Sequence, residues 1–183
     1  MDSRRHARVL APSLLAALML STGCSSEQRV EYGYPKALCG VPVDRDLIEP
    51  FFPPGNNLTK SGSGLDSTLV SSYCLYHVDG KGKIKVEFDR RTDSDTLRKI
   101  VDIRTGGGDK SVPFDASGNL ALLDDGDALG VAKCSRSLAD DGKPRSYTVE
   151  ITVPDAEEIE EVRVKLAALM KALLPAAVKT DGC

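Results

Sequence analysis

Residues 78–89 read VDGKGKIKVEFD, and the fold follows from them. Asp79-Gly80 is a two-residue hairpin signal, because both positions tolerate the positive φ that a type I′ turn demands. Beyond it, residues 83–89 alternate strictly: Ile84, Val86 and Phe88 share one face, and Lys83, Lys85, Glu87 and Asp89 share the other. One apolar and one charged face predict an antiparallel sheet covered on a single side. Residues 68–78 are rich in β-branched and aromatic side chains and predict the outgoing strand. A second hairpin is expected from 129–136 and 145–153 around Asp140-Asp141-Gly142. There Tyr147, Val149, Ile151 and Val153 point one way, and Ser146, Thr148, Glu150 and Thr152 point the other. Residues 120–123 read as a further short strand, and 56–66 as an exposed Gly/Ser/Asn loop.

The cover for this sheet is the last long element. Pro154 breaks the strand, Asp155 is placed to cap a helix, and Glu158 three residues on suits a capping box. Ile159, Val162, Leu166, Leu169 and Leu173 recur at helical spacing and form the stripe that packs on the sheet. Pro175 is expected to end or kink the helix near Leu174, because it lacks an N–H and crowds the preceding turn. Shorter helices are expected after Asp44, through Leu47 and Ile48, and over 94–103, where Leu97, Ile100 and Val101 share a face. The fold class is therefore α+β: an antiparallel sheet of two hairpins packed by a long C-terminal helix and shorter helices.

Upstream, the chain begins with Arg4, Arg5 and Arg8, continues with the mostly apolar residues 9–20, and reaches Ser21, Thr22, Gly23 and Cys24. A positive start, a short apolar core and small residues before a cleavage point make a secretory signal. The core is too short for a bilayer, which takes about 20 apolar residues. The cysteine after Gly23 resembles the lipobox of bacterial lipoproteins, although Ser21 stands where that pattern prefers Leu. The resemblance implies that Cys24 becomes the N-terminus and carries a diacylglyceryl thioether, with an ordinary cleaved signal as the competing reading. Ser3, Arg4 and Arg5 also resemble the start of a twin-arginine signal, but Ala7 and Arg8 replace its apolar pair, so the export route stays open. The organisation expected is 1–23 signal peptide, 24–37 lipidated Cys and coil tether, and 38–183 a single domain.

Five cysteines fit this scheme. With Cys24 on lipid, Cys39, Cys74, Cys134 and Cys183 remain as an even set in an oxidising compartment. Cys39 precedes a short helix that can fold back on the first hairpin, where Cys74 lies. Cys134 lies in the second hairpin, under the helix whose tail leads back to Cys183. The expected bonds are Cys39–Cys74 and Cys134–Cys183, each stabilising by roughly 3–4 kcal/mol in the chain-entropy account. Cys39–Cys183 with Cys74–Cys134 is the alternative.

The spacing of Cys39 before Leu47-Ile48, Cys74 before Asp79-Gly80, then Cys134 and the helix through Ile159 is similar to that of actinobacterial cell-envelope lipoproteins with a small disulfide-bonded secreted domain of unknown function. That family usually places Trp soon after its second Cys, where this chain has Leu75-Tyr76. The resemblance implies an α+β, sandwich-like domain similar to the PsbP-type fold, with a cystine near its start and no chemistry attached.

Composition narrows the function. Loss of residues 1–23 removes three Arg and one Asp and takes the formal charge from −3 to −5. An acidic chain without a basic stripe is a poor nucleic-acid binder. Trp is absent and aromatics make up 5%, which disfavours a sugar-stacking face. His77 is the one histidine after residue 23, set near a turn where imidazoles are usually solvated. Neither a Gly-x-Ser-x-Gly elbow nor Ser-x-x-Lys occurs. Asp109 stands where a phosphate loop needs Gly before Lys110. Asp124, Asp125 and Asp127 lack calcium-loop spacing and read as a turn. Lys81, Lys83 and Lys85 are followed by Glu87 and Asp89 on the same strand, so they read as a solvated face.

Neither a catalytic constellation, a cofactor nor a metal is expected. The reading is a membrane-anchored, extracytoplasmic, non-enzymatic binding or accessory module. Its partners would be the membrane, through the lipid on Cys24, and an envelope protein or small-molecule ligand. A carboxylate-based envelope hydrolase and a structural envelope protein are the alternatives.

Overall fold

A computed structural model describes residues 29–91, 111–134, 146–154, 156 and 159–183. Among the described residues seven strands form one sheet: β1 (Leu58–Ser61), β2 (Ser71–Val78), β3 (Lys81–Arg91), β4 (Val112–Ala116), β5 (Asn119–Leu123), β6 (Asp127–Lys133) and β7 (Ser146–Thr152). Their order is β1-β2-β3-β7-β6-β5-β4, and every neighbouring pair is antiparallel. One short helix, α1 (Arg45–Ile48), runs into a 3-10 turn at Glu49–Phe51, and a long helix, α2 (Ile159–Asp181), covers the sheet.

The β2–β3 turn is the expected one. Asp79 and Gly80 have φ of 50° and 78°, and Val78 lies opposite Lys81. Ser117 and Gly118, at 57° and 83°, close β4 on β5 in the same way. Because side chains in register share a face, Cys74, Val86, Ile151, Ala128 and Leu123 form a continuous row across five strands, all of them buried. Helix α2 lies on this face with Leu166, Leu169, Met170, Leu173, Leu174 and Ala177 buried. It sits chiefly over β6, where Ala128, Gly130 and Ala132 give it room. A Cβ on Gly130 would come within 2.7 Å of Met170 Sδ and 2.9 Å of Leu174 Cδ2.

The structure departs from the sequence-based expectation in several places. Residues 56–66 are not loop throughout, because Leu58–Ser61 pair with β2 as an edge strand. Strand β4 is a second addition, so the sheet holds more than two hairpins. Strand β2 starts at Ser71 and not at residue 68, because Asp66 accepts from the backbone N–H of Thr68 at 2.9 Å and from its hydroxyl at 2.7 Å, which turns the chain there. Asp44 stands at the start of α1, but its side chain makes no capping hydrogen bond; an Arg45–Glu49 pair at 3.2 Å spans the turn instead.

The face carrying Ser146 and Thr148 is not wholly wet, since these residues are 6% and 2% exposed and Leu129 beside them is also buried. Alternation reports which residues share a face, not whether water reaches it. Helix α2 runs through Pro175 to Asp181. Pro175 deprives the carbonyl of Lys171 of its helical donor, and the hydroxyl of Ser117 donates to that carbonyl at 2.9 Å. The expected helix over 94–103, the glycine-rich stretch at 106–111 up to its last residue, the turn at 140–142, and Asp155, Glu157 and Glu158 lie outside the described residues.

The cystines are Cys39–Cys74, with Cα atoms 5.7 Å apart, and Cys134–Cys183, at 4.7 Å. The first fastens the N-terminal loop to β2. The second fastens Cys183, two residues beyond α2, to Cys134, the residue after β6; because the helix runs on past Pro175, it delivers Cys183 there directly.

Candidate functional site

Within the stretch 24–37, expected as a coil tether, Val30, Tyr32 and Tyr34 contact the domain. Val30 forms a parallel bridge with Gly55, and the N–H of Glu31 donates to Gly55 O at 2.8 Å. The hydroxyl of Tyr32 donates to Pro53 O. Four rings then meet edge to face in a chain: Tyr32 to Tyr34 at 5.8 Å, Tyr34 to Phe52 at 6.4 Å, and Phe52 to Tyr76 at 5.4 Å. Edge-to-face contacts of this kind add about 0.5–1.5 kcal/mol each beyond burial. The Arg45 guanidinium sits 4.3 Å from the centroid of Tyr34. The stack ends at the first cystine, where the Tyr76 hydroxyl accepts from the N–H of Cys39 at 3.3 Å and donates to Ala37 O at 3.2 Å.

The adjoining β2–β3 turn is tied into the same seat. The Asp79 carboxylate accepts from the N–H groups of Asn57 at 2.9 Å and Asn56 at 3.1 Å, and the N–H of Asp79 donates to Asn57 O at 2.9 Å. Gly55 is where the segments approach most closely: a Cβ there would overlap Val78 Cγ1 and stand 2.8 Å from Asp79 Oδ2. Burial, the neighbouring Tyr34 and the Asp79 carboxylate push the Tyr32 phenol up to about 12. Burial also raises Tyr76, against the opposing bond from Cys39 N–H. Residues 30–34 are thus joined to the loop at 52–57, and through it to the β2–β3 turn, by a bridge, ring contacts and hydrogen bonds.

A second polar cluster lies at the other end of the sheet. Arg90 reaches Asp181 through Nε to Oδ2 at 2.9 Å and Nη2 to Oδ1, and its Nη1 donates to Leu69 O at 2.6 Å. Tyr147 lies beside it with its hydroxyl buried and without a hydrogen-bond partner among the described residues. Burial, reinforced by the Asp181 carboxylate, pushes this phenol well above the tyrosine range. No periodicity or motif announced this cluster, because its members come from β3, β7 and the end of α2.

The other sequence candidates fall as follows. Cys24 lies outside the described residues. His77 is on β2 opposite Gly82, on the face away from Cys74, whose sulfur is already bonded. Asp124 and Asp125 form the turn before β6, where the Asp124 carboxylate accepts from the N–H of Asp125 at 2.7 Å. Among the described residues no group of three or more His, Cys, Asp or Glu is placed to hold a metal ion. The register sets Glu87 opposite Glu150, and Lys85 Nζ lies 3.0 Å from Glu87. Among the described residues no helix is long and apolar enough to cross a membrane. No family model matches the chain, and the comparisons with curated proteins and with solved structures return no match.

Proposed function

We propose that this protein is a lipoprotein of the actinobacterial envelope kind, fixed to the extracytoplasmic face of the cell membrane by acyl chains on Cys24. Its domain, with a PsbP-like arrangement of sheet and helix, is a non-enzymatic binding or accessory module for an envelope protein or small-molecule ligand. The observation that carries the reading is the use of the other cysteines. Cys39, Cys74, Cys134 and Cys183 are spent in two bonds, which leaves Cys24 as the odd thiol, directly after Gly23 at the end of a leader-like stretch. Two acyl chains anchor stably where one does not, at about 0.8 kcal/mol per buried methylene.

Cys24→Ser is the test. The variant is expected to leave the membrane fraction or to stay at precursor size, and to lose incorporation of labelled palmitate. A variant that fractionates with membranes at mature size would overturn the reading. A pull-down from intact envelope with the lipidated form then identifies the partner.

A further inference from the structure

We infer that the end of the domain bearing the Val30–Gly55 seat and the β2–β3 turn is a membrane-facing surface, apposed to the phosphate headgroups of the lipids in which Cys24 is anchored. The inference rests on the lipid-anchor reading and adds an orientation to it. The chain is fastened to the domain at Val30, by the bridge to Gly55 and by Tyr32 on Pro53. Only six Cα–Cα steps separate Val30 from Cys24, a reach of about 20 Å at full extension. Strand β3, Lys81–Arg91, is about 33 Å long at some 3.3 Å per residue, and its Lys81 end adjoins the seat. The domain is therefore longer than its leash. With the seat no more than about 20 Å from the lipid, the domain cannot stand on its far end, with Val70 and Arg90 down and the seat uppermost.

The chemistry of the near end fits that neighbour. Arg29 and Lys81 are exposed there and supply charge for lipid phosphates. Pro53 and Pro54 are also exposed and carry no charge. Glu31 and Asp79 are carboxylates beside the seat, and that of Asp79 is held by the N–H groups of Asn56 and Asn57.

The test uses the full lipidated chain in vesicles of equal phosphatidylethanolamine and phosphatidylglycerol with an acceptor dye on a fraction of the headgroups. A donor is placed by an unnatural amino acid at Lys81 or at Val70, which is 74% exposed at the far end of the same hairpin. Energy transfer from position 70 should be at least about twofold weaker, because it lies about 30 Å further along the strands. Equal transfer from both positions, with the protein floating on the vesicles, overturns the orientation and leaves the anchor standing. A protein that does not float overturns the anchor and the inference together. Gly55→Val should unseat Val30 and shrink the difference between the two positions while flotation persists; Tyr32→Ala, which removes the bond to Pro53 and the first ring of the stack, should do the same with less disturbance. An undiminished difference in both variants overturns the role of the seat.

Discussion

Arg90 on β3 and Asp181 in the last turn of α2, 91 residues apart, face each other fork to fork, and the Asp181 side chain is fully buried. The pair joins the sheet to the helix at the end where Leu69 O takes the third guanidinium contact. Asp181→Ala leaves the guanidinium buried without its counter-charge and is expected to cost about 3–5 kcal/mol in urea denaturation of the oxidised protein. Arg90→Met combined with Asp181→Leu should recover most of that loss, since a well-packed apolar pair dispenses with the desolvation that the ions require. A double variant no better than Asp181→Ala would show that the pair contributes more than charge compensation.

The bond from Ser117 to Lys171 O predicts a coupling between Ser117 and Pro175. Ser117→Ala should cost about 1 kcal/mol, because it strands a helical carbonyl. In a Pro175→Ala background the restored N–H of residue 175 serves that carbonyl, and the cost of Ser117→Ala should shrink towards zero. A double-mutant cycle that closes additively would break the link between the serine and the proline.

Alkaline pH should unfold the domain. Tyr32, Tyr34, Tyr76 and Tyr147 all have phenols raised by burial above the ordinary value of 10. A raised phenol binds its proton more tightly in the folded chain. Its contribution is therefore fully present below pH 10 and is lost as pH climbs through the folded value, which for Tyr32 is about 12. Phenolate absorbance should titrate late in the native protein and near 10 in urea, and Tyr32→Phe should delete a component near about 12. Native tyrosines that all titrate at 10 would place these rings in water.

The contact of helix and β6 predicts two opposite kinds of damage. Leu169→Ala opens a cavity under the helix and should cost about 2–5 kcal/mol. Gly130→Ala overfills the same layer, with Met170 and Leu174 forced to move, and should cost about 1–3 kcal/mol. Thermal melts of both variants measure this; a wild-type melt for Leu169→Ala would place the helix off the sheet.

The central hairpin was legible because local rules agree there: Asp79-Gly80 suits its turn, and Ile84, Val86 and Phe88 alternate without interruption. The two edge strands were hidden for a physical reason. Leu58–Ser61 bury too little to show a pattern, and Pro113 inside β4 discourages a strand assignment, although at an edge its missing N–H does no harm. Pro175 misled in the other direction. A proline rule is local, whereas the donor that compensates it sits on a turn 54 residues before Lys171. The seat of Val30 and Tyr32 was read as coil since one bridge and a stack of rings leave no periodic trace. The Arg90–Asp181 pair is visible only once β3 and the end of α2 are brought together.

The two cystines close loops that follow one another along the chain, 39 to 74 and then 134 to 183, with neither loop inside the other. For a polypeptide that meets its oxidant N-terminus first, this arrangement is a schedule. Cys74 is the first thiol to arrive after Cys39 and is also its correct partner, so the earliest bond to form is the native one. By the time Cys134 arrives, Cys39 and Cys74 are taken, and it waits for Cys183. The nested alternative would require Cys39 to stay reduced while two wrong partners passed it. Among these four cysteines order of arrival thus selects the pairing, and the demand on disulfide isomerases is correspondingly small.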